Sequence, residues 1–249
     1  MASFHLPQDF AAYFDIPNAA ERFVEGMQIA AKVEQAGVPL FGNPDHAAVF
    51  CDPPHLVAGG LKRLGYISGW DNRCYPSPVD GQDYINVSAR LPEDSPRRAE
   101  GWFDYVAVVH PVDLAAREQI LSMGYGNPFL HHLTFGIVPP LRNGATDLEY
   151  SHTLVDYMTQ VRQAIARQTG ETPGTLIAAL PPDTVAAQTP APGMQIEPMD
   201  GGGFLLQFFV LTGGRIEAAL RVGTTQTFNP RSVKKISRDE ISTIQTAAR

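Results

Sequence analysis

The sequence predicts an α+β protein made of two βαβββ modules that form a cupped mixed sheet, with a helical segment in front. Three observations carry this. The order strand, helix, then three strands can be read twice along the 249 residues. Two strand-like segments, Asp45 to Phe50 (DHAAVF) and His131 to Ile137 (HHLTFGI), start the two readings about 86 positions apart, each with histidine near its beginning. Thr212-Gly213-Gly214, between the last two strand-like runs, is a short glycine loop suited to a hairpin.

Taken in order, residues 1–40 form the preface. Ala20, Phe23, Met27, Ala30, Ala31 and Val33 recur at helical spacing between Asn18 and Gln35, and Gly37 stands where a C-terminal cap belongs. The first module, 41–125, opens with a strand from Ala47 to Cys51. Asp52-Pro53-Pro54 then starts a helix through Leu56, Val57, Leu61 and Leu64 that Gly65 closes. Strands are expected at Tyr66 to Trp70, Tyr84 to Ala89 and Phe103 to Val109, with His110, before Pro111, at an exposed strand end, followed by a connecting helix from Leu114 to Met123. The second module, 126–230, has a strand from Leu133 to Val138 and an amphipathic helix from Ser151 to Gln168 with the stripe Leu154, Val155, Met158, Val161 and Ile165. Strands follow at Leu176 to Leu180, Met194 to Ile196, Phe204 to Leu211 and Arg215 to Val222, the last two joined through Thr212-Gly213-Gly214. Asp71 to Gln82 reads as a loop, Pro181 to Pro198 as the least regular stretch, and 231–249 as a basic tail.

Composition narrows the function classes. Acidic residues exceed basic ones, 26 against 19, for a net charge of −7, and no basic run of the nucleic-acid type occurs. Two cysteines, Cys51 and Cys74, make neither a disulfide framework nor a zinc-ribbon pattern and suit a reducing compartment. No apolar run reaches membrane-spanning length and no signal-peptide core is present, so the expectation is a cytoplasmic protein without a membrane partner. The glycine devices of P-loop and dinucleotide-binding folds are missing, as is the serine-hydrolase elbow.

The chemistry lies in three strands. Alternation puts His46 with Ala48 and Phe50 on one face, His132 with Thr134 and Gly136 on one face, and Glu217 with Ala219 and Arg221 on one face. The opposite faces are apolar and suited to packing under helices. Two imidazoles and one carboxylate are the ligand set of a facial-triad iron site, which leaves positions on the metal for substrate and oxygen. Fe(II) is the expected ion, with Mn, Zn and Ni as alternatives. His131 competes with His132, because a register error of one residue exchanges them. Glu217 paired with Arg215 or Arg221 as a surface carboxylate is the competing reading of the third ligand. Arg221, Gln207 and Thr134 are the candidate substrate contacts, Arg221 for a carboxylate group.

The paired modules, the DHAAVF strand with its proline-started helix ending in Leu64-Gly65-Tyr66, and the HHLTFGI strand resemble the vicinal oxygen chelate superfamily. Within it they are similar to the 2-oxoadipate dioxygenase/decarboxylase branch. The resemblance covers about Ala20 to Val222 in arrangement. It implies a mononuclear non-haem iron held by His46, His132 and Glu217, and a dioxygenase acting with O2 on a small oxygen-chelating substrate such as a 2-oxo acid or an enediol or catechol-like compound. An isomerase, lyase or hydrolase using another divalent ion, and a metal-free binding module, are the alternatives on the same scaffold. The branch carries an arginine four residues after the first histidine, where this chain has Phe50, so the substrate carboxylate needs another anchor.

Overall fold

The computed structural model describes residues 16, 19–41, 44–67, 73–76, 83–100, 102–103, 105–170, 173–199, 203–212, 215–223 and 234–235. The expected loop residues 77–82 and most of the basic tail lie outside them, as does the 68–70 part of the expected strand at Tyr66. The chain divides into two units, residues 1–25, 43–133 and 233–249 in the first and 26–42 and 134–232 in the second. The architecture is α+β with both parallel and antiparallel strand pairs.

Helix α1, Ala19–Gln35, buries Ala19, Phe23, Ile29, Ala30 and Val33. Its end is set by Gly37 at φ +82, which lets the Val38 N–H turn back to the Val33 carbonyl at 3.2 Å. Strand β1 (His46–Phe50) is buried at every position, and helix α2 (His55–Arg63) follows it. The next strand is β2, Arg73–Pro76, inside a stretch expected to be loop, whereas Ile67 makes only an isolated bridge to Arg90. Strand β3 (Asp83–Arg90), the short helix α3 (Pro96–Ala99) and strand β4 (Tyr105–Pro111) complete the module. The strand order β2-β3-β4-β1 places β1 parallel to β4, with Ala48 opposite Ala107 and Phe50 opposite Val109. That parallel pair is what a helix and two hairpin strands between β1 and β4 produce. Ala48, Phe50, Tyr84, Ala107, Val109 and Phe129 form one apolar cluster on this sheet. β10 (Lys234–Lys235) pairs antiparallel with β2 at the outer edge.

Helix α4 (Leu114–Ser122), capped by the Asp113 carboxylate accepting from Ala116 N–H at 2.8 Å, leads to β5 (Phe129–Gly136). The division between the units falls within β5, after Leu133. Helix α5 runs Asp147–Thr169, four residues longer at its start than the apolar stripe implies. A capping box accounts for the extra turn: Thr146 Oγ1 accepts from Glu149 N–H, and the Glu149 carboxylate accepts from Thr146 N–H at 2.9 Å. Its stripe Leu154, Val155, Met158, Val161 and Ile165 is buried as expected. Strand β6 (Leu176–Leu180), the short helix α6 (Pro182–Val185), β7 (Met194–Pro198), β8 (Leu205–Thr212) and β9 (Arg215–Gly223) follow. The order β5-β9-β8-β6 repeats the arrangement of the first module, and β7 is added parallel to β6.

Candidate functional site

Strand β1 delivers its histidine already oriented. The chain enters β1 through Asp45, and the Asp45 carboxylate lies 2.7 Å from the His46 Nδ1. An ionised carboxylate only accepts, so this contact places a proton on Nδ1. The ring is buried and stands edge-on to Tyr105, with centroids 4.7 Å apart.

Strand β5 brings two histidines, and its backbone leaves the regular pleat to do so. The guanidinium of Arg22, from the first turn of α1, donates from Nε to the Leu130 carbonyl and from Nη2 to the His131 carbonyl at 2.8 Å. Successive carbonyls of a regular strand point to opposite edges and cannot share one guanidinium, so the strand is irregular between Leu130 and His132. The consequence is visible in the side chains. Adjacent residues that should face opposite ways have their Nδ1 atoms 2.8 Å apart. His131 remains beside Phe129, ring centroids 6.0 Å apart, while His132 lies 6.3 Å from His46, ring to ring. Simple alternation therefore does not decide between the two histidines.

Burial controls the charge of this cluster. His131 is pushed down to about 3 by burial and then by the Arg22 guanidinium. His132 is held well below its usual value, first by burial and then by His131, His46 and Arg22. Both imidazoles are neutral at pH 7, the state a metal ligand requires. Two rings sharing one ion at about 2.1 Å per nitrogen have centroids about 5 Å apart, and those of His46 and His132 are 6.3 Å apart, wider than that geometry. Among the described residues no group of three His, Cys, Asp or Glu side chains is arranged to hold a metal, and the Glu217 side chain lies outside them.

In the second unit the backbone places the remaining candidates. Ala218 pairs with Val210 and Ile216 with Leu211, so Glu217 is the extra residue of a bulge in β9. Its face cannot be counted off from Ala219 and Arg221 as a regular strand would allow. Gln207, half-buried, is directly across from Arg221 in the β8–β9 register. The side chain of Arg221 lies outside the described residues, and Thr134 is fully buried.

Two features escaped the sequence reading. Arg22 is 6% exposed, stacks 4.9 Å from the Tyr125 ring centroid and also pairs with Glu25 at 3.4 Å. Its signal was an arginine three residues after Ala19, on the same buried stripe of α1. The second is His110, expected at an exposed strand end, which is completely buried. Its ring is stacked near Phe50, with centroids 6.2 Å apart, and among the described residues neither ring nitrogen meets a hydrogen-bond partner in good geometry, the backbone at Cys51 being only a weaker polar neighbour. The Asp52 carboxylate is 3.7 Å from His110 Nδ1 and 3.6 Å from Arg117 Nη1. Burial pushes His110 down to about 4, with Asp52 opposing and Arg117 assisting. The Asp52 backbone is clamped by Asn127, whose amide both accepts from Asp52 N–H and donates to its carbonyl.

Comparison with known proteins adds little. No family model matches the sequence and no curated protein does. Among solved structures, the chain is similar to a triple mutant of 4-hydroxymandelate synthase from Streptomyces coelicolor, at 16% identity and a TM-score of 0.36, over 85% of this chain and 52% of the other. The chain thus spans about half the length of that neighbour. A likeness at that score carries no functional argument, and the fold class rests on the strand order and connectivity. Among the described residues no helix is long and apolar enough to cross a membrane.

Proposed function

We propose that this chain is a mononuclear non-haem Fe(II) oxygenase acting on a small oxygen-chelating substrate, such as a 2-oxo acid or an enediol. One observation carries the reading: His46 and His132 are buried rings whose centroids lie 6.3 Å apart, and His132 is kept neutral by burial and its neighbours. Asp45 fixes the tautomer of His46, and Arg22 holds the backbone of β5 in the irregular form that turns the His132 ring toward it. When bound, Fe(II) would supply a centre at which substrate oxygens and dioxygen meet. Glu217 is carried from the sequence as the carboxylate ligand, and Arg221, Gln207 and Thr134 as substrate contacts, each to be judged by its own variant.

Oxygen uptake decides the reaction class. Metal-free protein reconstituted with Fe(II) should consume oxygen only when a 2-oxo acid or an enediol is added, and His46→Ala should abolish that uptake. Turnover of the same substrates without oxygen, supported by Zn(II) or Ni(II), would replace the oxygenase with an isomerase or lyase.

A further inference from the structure

Helix α4 is held to its sheet by charge rather than by an apolar face. A helix on a sheet ordinarily buries a stripe of apolar side chains, as α5 does with Leu154, Val155, Met158, Val161 and Ile165. In α4 the buried residue is Arg117, 4% exposed, whereas Leu114 and Leu121 are exposed and Ile120 is half-buried. Among the described residues the charged partner of Arg117 is Asp52, 3.6 Å from Nη1, and the Arg117 Nε meets no acceptor. That separation is too long for a hydrogen bond, so the two groups hold each other by charge alone. Apolar contact is limited to Ile120 and the following Tyr125, which pack against the cluster of Ala48, Phe50, Tyr84, Ala107, Val109 and Phe129. An element with so little apolar burial belongs to the part of a protein that opens at low free-energy cost.

The same carboxylate faces a second group. His110, at the end of β4, is completely buried with its Nδ1 3.7 Å from Asp52. Asp52 thus stands between the α4 guanidinium and a buried imidazole. The strands beside His110 bring no competing charge: β1 leads to Phe50 and Cys51, whose thiol burial pushes up to about 11, and β3 sets Ile85 at the register position opposite. A proton on His110 would place a second cation next to Asp52 and against Arg117. We propose that α4 is a proton-linked lid on the first unit: the Arg117–Asp52 pair holds it shut over the Phe50 and Phe129 cluster, and protonation of His110 favours its opening. What it uncovers is an apolar floor in which those two rings stack with centroids 5.1 Å apart. The device needs no metal and stands apart from the oxygenase reading. Burial, assisted by Arg117, holds His110 at about 4 in the closed form against 6.5 when exposed, so the open form takes up a proton between those values and opening grows easier as the pH falls through that window.

Native-state hydrogen exchange of the metal-free protein, followed by NMR in low urea, reads the opening directly. After correction for intrinsic rates, the amides of Glu118, Gln119, Ile120 and Leu121 should exchange at least about 100-fold faster than those of Met158 and Val161 on α5, and with little dependence on urea, as an opening smaller than global unfolding requires. From pH 7 to pH 5 the α4 opening constant should rise by up to about 20-fold in the wild type and stay level in His110→Phe, with His110→Gln as the second variant. Asp52→Asn, which leaves the buried guanidinium without its counter-charge, should raise it about tenfold at pH 7 with α5 unchanged. Exchange of the α4 amides only through global unfolding, with the urea dependence of α5, would overturn the lid. An equal rise with acid in the wild type and both His110 variants would overturn the proton link, and an unchanged opening constant in Asp52→Asn would overturn the Arg117–Asp52 pair as its catch. The wild-type exchange at the two pH values decides the lid even where a variant does not fold.

Discussion

Replacing His110 with phenylalanine should make the protein less sensitive to mild acid. The ring is fully buried, is stacked near Phe50, and among the described residues neither of its nitrogens meets a hydrogen-bond partner in good geometry. Burial lowers it from 6.5 to about 4. Below pH 6.5 the unfolded chain takes up a proton at this position while the folded protein does not, so stability falls as the pH drops toward 4 and levels off below it. A lowering of that size corresponds to roughly 3 kcal/mol in total, of which about 2 kcal/mol is expressed between pH 7 and pH 5. Phenylalanine keeps the stacked ring and removes the titrating group, so the comparison isolates the pH dependence of this position. Urea unfolding of both metal-free proteins at pH 7 and pH 5 measures this. His131 and His132 carry the same sign of pH dependence in both proteins and cancel in the comparison. Wild type and variant losing equal stability over that interval would refute the reasoning, because His110 would then be titrating alike folded and unfolded.

Arg22→Met should cost roughly 3 kcal/mol in urea unfolding, since it strips two buried carbonyls of charge-assisted hydrogen bonds. It should also abolish the His131–His132 hydrogen bond seen by imidazole NMR, and an intact bond in that variant would show that Arg22 does not shape β5. Asp45→Asn should weaken metal binding about tenfold through loss of the fixed His46 tautomer, with the fold unchanged by circular dichroism; unchanged affinity would remove Asp45 from the site. Arg221→Met should lower kcat/KM for an anionic substrate by an amount corresponding to about 2 kcal/mol without releasing the metal, and an unaltered kcat/KM would return Arg221 to a structural role.

Much of the fold was legible because its signals are local. The stripe of α5, the cap at Gly37 and the strand pattern of β3 depend on neighbours within a few residues, and each element appears where its pattern lies. β2 and β7 were read as loop or only partly as strand, because Arg73–Pro76 and Met194–Pro198 are short and each contains proline. Their strand character comes from pairing with β3 and β6, which no short window contains. The site shows the same limit. His46 and the histidine pair stand out in the sequence, but the choice within the pair depended on a regular pleat. Arg22, 108 residues from Leu130, breaks that pleat through hydrogen bonds that the sequence does not announce. His110 was misjudged for a related reason: the proline after it reads as a strand end, yet β4 lies inside its sheet, between β3 and β1.

The most direct test of the account is the metal stoichiometry of the purified chain. Anaerobic titration of metal-free protein with Fe(II), followed by calorimetry, should give one ion per chain in the wild type and none in His46→Ala or His132→Ala, with each variant still folded. No stoichiometric binding in the wild type, or full occupancy in His46→Ala, would contradict the claim that these two buried imidazoles are the core of a metal site.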